Sequence, residues 1–499
     1  MRVNPLLRFR SLGAGQHYVF RGNDGELFHV EAEPAFAALA AAHRDLLRAP
    51  DTIPDMAALA ARIGLPAALI TDLLLTDDLP PWLHNEFDAP DFLPSIQGRM
   101  RLFFVFPSYD CNLACAYCTY SGIYPQERTH LPLKMDAARM GDAVQLIRES
   151  ARHSPDADIV FYGDEPLTNP PAVLGFMDAL TAAGNDGTRF HFQIVTNGLL
   201  LSETIARACI ARGVKLQLSL DGPPAVHDRY RRTRGGRPTH ARVMAKLKML
   251  ADLDADYLAT KVGIGCTLAP PFETPSDLAA IDRWFAEQPL FAGFSGYRGN
   301  FSVSVMNPTD ATAGSAHPAY QAGDLDTYRV QMRELYERFA AALIRGDQDD
   351  TRFLPAALFL ATFYRFSSRC TETPAHWRRW RHTGDCLPGA GGLAIGADGK
   401  LFVCNSLNLH PIGDTSRGLD PAILRTQRDR YLEVRNGPCR SCWINRFCPL
   451  CPAAFKYAEN SFLERLDCRS VARQYDDLLD FYIRATTEAP EQLRRLLSR

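Results

Sequence analysis

No apolar run in this 499-residue chain approaches the length needed to span a bilayer. The opening stretch, M-R-V-N-P-L-L-R-F-R, lacks the long apolar segment of a signal peptide. The expected location is therefore cytoplasmic, with no membrane partner. An excess of charge of either sign is missing too: 55 Lys and Arg stand against 57 Asp and Glu, a formal net charge of −2. That balance gives no electrostatic case for nucleic acid or for an anionic membrane. Cysteine, by contrast, is plentiful, with thirteen in the chain. In a reducing compartment clustered cysteines read as metal ligands rather than as a disulfide framework. The length suggests two to four domains, and 46% hydrophobic with 22% charged residues is an ordinary globular composition.

Cys111, Cys115 and Cys118 stand at C-x3-C-x2-C, directly after the apolar run Leu102–Phe106. A strand followed by a loop can bring three thiolates to one metal centre. Iron–sulfur cubes usually take four thiolates, so three without a near fourth suggest a [4Fe–4S] cluster with one open iron. A zinc knuckle or three buried thiols would share the spacing.

The flanking residues sharpen this. Tyr117 lies inside the last gap, and Gly163-Asp164-Glu165-Pro166 follows a second strand. Thr196-Asn197-Gly198 ends a third strand, and Ser219-Leu220-Asp221-Gly222-Pro223 with His227-Asp228-x2-Arg231 ends a fourth. This order resembles the radical S-adenosylmethionine (SAM) enzymes. The resemblance implies a cluster on the three cysteines, with SAM held by Tyr117, Gly163, Asp164, Glu165, Asn197, Ser219, Arg231 and Leu268. Within that set, Ser219 would meet the ribose, Arg231 the carboxylate, and Leu268 the adenine. The family usually has glycine where Asp164 stands. Glu165, Asp221 and Asp398 are acids near predicted strand ends, and nothing in the sequence selects one of them as a catalytic base.

Six strand candidates, Leu102–Phe106, Asp158–Tyr162, Phe190–Thr196, Lys215–Leu220, Lys261–Thr267 and Phe301–Val305, alternate with helical patterns such as Lys134–Ser150, Ala172–Ala183 and Glu203–Arg212. The fold class expected is α/β, a partial (βα)6 barrel over residues 96–310 with chemistry at the carboxyl ends of its strands. Cys209 falls in a helical pattern and Cys266 in a strand, so both read as buried small hydrophobes.

Residues 1–95 read as a small separate module. Three short strands (Leu6–Leu12, Tyr18–Arg21, Glu26–Val30) precede three helices (Pro34–Leu47, Asp55–Ile63, Pro66–Thr76), with Asp77–Pro94 as a linker. The arrangement is winged-helix-like and resembles the PqqD-like leader-recognition domain, in which a leader peptide adds a strand to the sheet edge. A winged helix with no partner, or one that binds DNA, has the same pattern. The third helix carries acids and no Lys or Arg, which disfavours DNA.

Residues 311–380 read as a helical bridge, and residues 381–499 hold the second cysteine group. Cys386, twelve residues, Gly399, four residues and Cys404 precede Cys439-x2-Cys442-x5-Cys448-x2-Cys451 and Cys468. This resembles the iron–sulfur SPASM domain, apart from a last gap of two residues instead of three. The resemblance implies one auxiliary [4Fe–4S] cluster on Cys386, Cys404 and Cys451, with Cys370 as fourth ligand, and another on Cys439, Cys442, Cys448 and Cys468. Zinc sites remain open on spacing alone. SPASM enzymes modify ribosomal peptides, proteins and a few small molecules. Sulfatase maturases carry Asp immediately after the G-x4-C cysteine, where Asn405 stands here. The expected activity is therefore oxidative cross-linking, thioether or carbon–carbon, of a precursor peptide that carries a leader segment. A reductant such as a flavodoxin or ferredoxin would supply the electron. Protein or small-molecule modification is the alternative within the family, and a non-catalytic iron–sulfur or zinc scaffold is the alternative outside it.

Overall fold

The computed structural model describes residues 2–13, 15–22, 25–50, 52–76, 97–123, 128–182, 187–273, 277–306, 309–310, 315–316, 319–347, 349–371, 392–406, 410–436, 439, 441–444, 447–448, 457–458, 461–462 and 468–497. The chain divides into two compact units. One comprises residues 1–92, 362–385 and 428–499; the other comprises residues 93–361 and 386–427. The expected linker Asp77–Pro94 lies outside the described residues.

The first unit opens with β1 (Arg2–Val3), β2 (Leu7–Ser11), β3 (His17–Arg21) and β4 (Glu26–His29). Strands β2, β3 and β4 form an antiparallel sheet in that order. Helices Glu33–Arg48, Met56–Ile63 and Ala67–Leu74 follow. Asp55 caps the second helix by accepting from Ala57 N and Ala58 N, and Gly64 ends it in the left-handed conformation at φ +78°. The third helix stops two residues before the expected end. Leu75–Thr76 forms β5, which pairs antiparallel with β1. The reason is tertiary: Leu75 is buried as a strand residue opposite Val3. Among the described residues no single helix is long and apolar enough to cross a membrane. The bent pair Met56–Ile63 and Ala67–Leu74 meets the length and composition only together. Its Leu59, Ile63, Ile70, Leu73 and Leu74 are all buried in the core of this unit.

Val19 of β3 faces that core, and its neighbour Phe20 faces the other side of the sheet, where residues far away in sequence cover it. Phe20 packs against Phe366, Trp443 and Phe447, with ring centroids 5.9, 6.2 and 6.0 Å away. Arg8 stacks over Trp443 at 4.8 Å, and Arg10 pairs with Asp476 and Asp480 on the helix Cys468–Glu488.

In the second unit, β6 (Leu102–Val105), β7 (Asp156–Phe161), β8 (Arg189–Thr196), β9 (Lys215–Ser219), β10 (Val262–Leu268) and β11 (Phe301–Val305) pair in sequence order, all parallel. These are the six strands expected from the sequence. Helices Ala137–Ala151, Pro170–Thr181 and Glu203–Ala211 lie between them. Asp136 and Ser202 cap the first and third of these by accepting from Arg139 N and Ile205 N. Helix Pro170–Thr181 buries Val173, Phe176, Met177 and Leu180, a stripe at helical spacing, and Phe176 meets Phe161 of β7 at 5.9 Å. Cys209 and Cys266 are buried inside a helix and a strand, as expected of small hydrophobes.

After the short hairpin β12 (Thr309–Asp310) and β13 (Ser315–Ala316), the sheet grows from its other edge. Strand β14 (Gly392–Ile395) adds parallel to β6, and β15 (Lys400–Phe402), β16 (Gly413–Asp414) and β17 (Gly418–Leu419) continue it antiparallel. The G-x4-C stretch thus extends the barrel sheet itself.

Candidate active site at the strand ends

The carboxyl ends of the six parallel strands open on one cavity of about 350 Å³. Cys111, Cys115, Tyr117 and Cys118 come from the loop after β6, Gly163 and Asp164 follow β7, and Asn197 follows β8. Ser219 ends β9, Arg231 follows the helix Pro224–Tyr230, Thr267 lies on β10, and Val305 and Met306 end β11. Parallel strands bring residues more than 190 positions apart to this one rim.

The cysteine loop is stitched to the segment around Arg231. Ala114 N donates to Arg232 O at 2.9 Å, and Ala116 N to Tyr230 O at 3.3 Å. Of the neighbouring arginines, Arg232 and Arg234 are exposed while Arg231 turns inward with an 11% exposed side chain. Burial raises the pKa of all three thiols, that of Cys118 to about 12. Asn197 Nδ2 donates to Cys111 Sγ at 3.8 Å and to Asn112 Oδ1 at 2.8 Å, which ties the T-N-G turn to the cysteine loop.

Gly163 is required where it stands. Its φ is +112°, and a Cβ there would collide with the Phe106 ring. Asp164, the departure from the family glycine, is accommodated because its carboxylate turns into the protein. That side chain is fully buried between Arg128 and His130, to both of which it is paired. Arg128 in turn lies over Tyr109 and Tyr120, at 3.8 and 4.2 Å from the ring centroids. Burial opposes the charge of Arg128, but Asp164 more than offsets this and its pKa is raised.

The three candidate acids are all engaged. Glu165 is fully buried, and its carboxylate accepts from Thr196 Oγ1 at 2.7 Å, Asn197 N at 2.8 Å and Leu167 N at 3.0 Å. Burial raises its pKa against those hydrogen bonds. Asp221 accepts from Tyr117 Oη, from Arg231 Nε at 2.9 Å and from Thr267 N at 2.9 Å. Asp398, in the turn between β14 and β15, accepts from Tyr109 Oη at 3.0 Å and Lys400 N at 3.2 Å. None of the three lines the cavity. Leu268 does not line it either: it is buried, its carbonyl accepts from Met306 N at 2.8 Å, and Thr267 takes the cavity position.

The sequence reading missed Arg128, His130, Tyr120, Thr267 and Met306. Arg128 and His130 act through a partner 34 or more positions away, for which no local spacing gives a signal.

The residues present fit a cluster and SAM. Three thiols share one cavity, yet among the described residues no three His, Cys, Asp or Glu side chains lie close enough to hold a single ion. Three thiols in one cavity are the donor set of a cube with one open iron. Ser219 and Arg231 also line the cavity, and among the described residues the Ser219 hydroxyl and the terminal nitrogens of Arg231 make no hydrogen bond.

Of the second cysteine group, Cys439 and Cys448 are buried, and Cys370, Cys404 and Cys442 are half-buried. Cys386 and Cys451 lie outside the described residues, as does the side chain of Cys468.

Residues 105–285 match the Radical SAM superfamily. The chain is 25% identical over 387 residues, 74% of its length and 82% of the relative's, to the serine-type anaerobic sulfatase-maturating enzyme of Klebsiella aerogenes. It is 26% identical over 160 residues to the radical SAM cyclopropyl synthase TigE of Paramaledivibacter caminithermalis, spanning 30% of this chain and 33% of that protein. Among solved structures, the tagged form of anSMEcpe with bound AdoMet superposes with a TM-score of 0.59 over 80% of this chain and 98% of that one, at 15% identity. A Radical SAM domain implies a [4Fe–4S] cluster and SAM. With the three cysteines, the six parallel strands and these relatives in agreement, residues 105–285 are a Radical SAM domain and the chain is a radical SAM enzyme.

Proposed function

We propose that this enzyme oxidatively cross-links side chains of a ribosomally made precursor peptide. The observation that carries the reading is the single cavity in which Cys111, Cys115 and Cys118 meet Ser219 and Arg231. Cys111, Cys115 and Cys118 would hold the cluster. Arg231 would pair its fork with the SAM carboxylate, and Ser219 would hydrogen-bond the ribose. When bound and reduced, the cluster and SAM together supply a carbon radical that removes an unactivated hydrogen atom from the substrate. The apolar wall of Leu113, Val195, Val305 and Met306 would keep water from the substrate side chain.

Cross-linking removes two electrons overall, so an electron acceptor is required. The eight cysteines from Cys370 to Cys468 would hold two auxiliary [4Fe–4S] clusters in that role. Residues 1–95 would capture the leader segment by strand addition at an edge of the β2–β3–β4 sheet, whose outer strands β2 and β4 pair with no further strand among the described residues. A flavodoxin or ferredoxin would deliver the first electron, and the setting would be cytoplasmic. The acids Glu165, Asp221 and Asp398 each already accept two or more hydrogen bonds and do not line the cavity, so they support no assignment of a base.

A second reading, maturation of a sulfatase-like protein, is favoured by the 25% identity to the Klebsiella enzyme. Asn405 weighs against it, because a neutral amide cannot accept a proton near neutral pH.

The test is iron and zinc per chain after anaerobic reconstitution, followed by SAM cleavage under reductant. The expected result is about twelve irons, little zinc, and release of 5′-deoxyadenosine that is lost in Cys115→Ala. About four irons with zinc would remove the acceptor role, and no 5′-deoxyadenosine at either metal content would end the enzyme reading. A leader-bearing precursor peptide losing two hydrogens separates the first reading from the second, in which turnover needs no leader.

A further inference from the structure

Arg231 is held at both ends by a closed circuit of buried hydrogen bonds. Its Nε donates to Asp221 Oδ2 at 2.9 Å. Asp221 N donates to His227 Nδ1 at 3.3 Å, and the other ring nitrogen of His227 lies 3.0 Å from Thr239 Oγ1. The hydroxyl of Thr239 donates to the carbonyl of Arg231 at 2.7 Å, which closes the ring. The directions are mutually determined. Asp221 N–H can only donate, so His227 Nδ1 is the acceptor and Nε2 carries the proton. Thr239 Oγ1 accepts that proton's hydrogen bond and has its own hydrogen left for the Arg231 carbonyl. Asp228 fixes Thr239 from behind, accepting from Thr239 N at 2.7 Å and His240 N at 2.9 Å. His227 and Thr239 are essentially without solvent contact, and Asp221 is 2% exposed.

The circuit reaches further through Asp221. The same carboxylate takes Tyr117 Oη from the cysteine loop and Thr267 N from β10. One buried acid therefore joins the cysteine loop, the Arg231 segment and a strand end, while Arg231 itself lines the cavity and, among the described residues, its side chain makes a hydrogen bond through Nε alone. A guanidinium tethered only through Nε has its fork free for a planar carboxylate, and a pre-set fork loses less entropy on binding.

We infer that Asp221, His227 and Thr239 are positioning residues which aim the fork of Arg231 at the carboxylate of SAM, so that the circuit selects for the amino-acid end of the cofactor. This rests on the SAM reading proposed above.

The probes are SAM and decarboxylated SAM, which differ only by the carboxylate, titrated calorimetrically into the full reconstituted chain without reductant. Wild type should prefer SAM, and Arg231→Gln should lose most of that preference. Asp221→Asn and Thr239→Val should each lower it about tenfold or more, through the affinity for SAM and not for the decarboxylated compound. Thr239→Val matches the shape of threonine and removes only the hydroxyl, so it serves if Asp221→Asn folds poorly. Equal losses of both compounds in the Asp221 and Thr239 variants would mean a merely structural role and overturn the inference. So would an unchanged preference in those variants beside a lost one in Arg231→Gln. A wild type that binds neither compound would overturn the SAM reading itself, a result distinguishable from either of these.

Discussion

His227 is neutral because it is buried, and burial lowers its pKa from 6.5 to about 4 against the opposing pull of Asp221. As pH falls, unfolded chains therefore take up this proton before folded ones do. The stabilisation is complete above about pH 6.5 and is lost progressively as pH falls toward about pH 4. Between about pH 7 and about pH 5 the loss from this one group is about 2 kcal/mol. Urea unfolding at both pH values should show a stability drop larger in wild type than in His227→Gln by about that amount. An equal drop in the two proteins would mean that the imidazole does not carry the circuit as a neutral group.

At the scale of the element, the turn after β7 buries the Asp164 carboxylate, and Arg128 and His130 supply its partners. The Asp164 side chain is buried, so removing its cation is worse than removing both. Arg128→Met should cost about 3–5 kcal/mol, and Arg128→Met with Asp164→Gly together should recover most of it. Thermal and urea unfolding of the two single variants and the double variant make the cycle. Additive losses would show that the pair is not coupled. The neighbouring Gly163 admits no such exchange, since its positive φ and the Phe106 ring both exclude a side chain.

At the scale of the whole molecule, the N-terminal sheet and helices share a compact unit with residues 362–385 and 428–499, and do not hang from the chain as a module apart. Phe20 sits among Phe366, Trp443 and Phe447, with no solvent exposure of its own. Phe20→Ala should destabilise this unit by about 3–5 kcal/mol and lower its unfolding midpoint. Hydrogen exchange should report that loss in helix Glu33–Arg48 and in helix Cys468–Glu488 alike. A loss confined to the N-terminal residues would mean that they fold independently.

The amino-acid sequence by itself determined the kind of chemistry and the order of the strands. The spacing of Cys111, Cys115 and Cys118, the turn glycines and the alternation of apolar strands with capped helices are local features, and local features are legible from spacing. It also placed Ser219, Asn197 and Gly163 at strand ends, where parallel sheets gather their sites. Only the tertiary structure decided which acids are available. Glu165 and Asp221 read as candidate bases because an acid in sequence looks free, whereas folding surrounds each with three donors, two of those on Glu165 and all of those on Asp221 ten or more positions away. It likewise decided that Leu75–Thr76 is a strand, that residues 392–419 continue the barrel sheet, and that Asp164 has Arg128 and His130 as partners. Each of these depends on groups brought together across long loops, and a hydrogen bond or a buried charge pair leaves no periodic trace in the sequence that makes it.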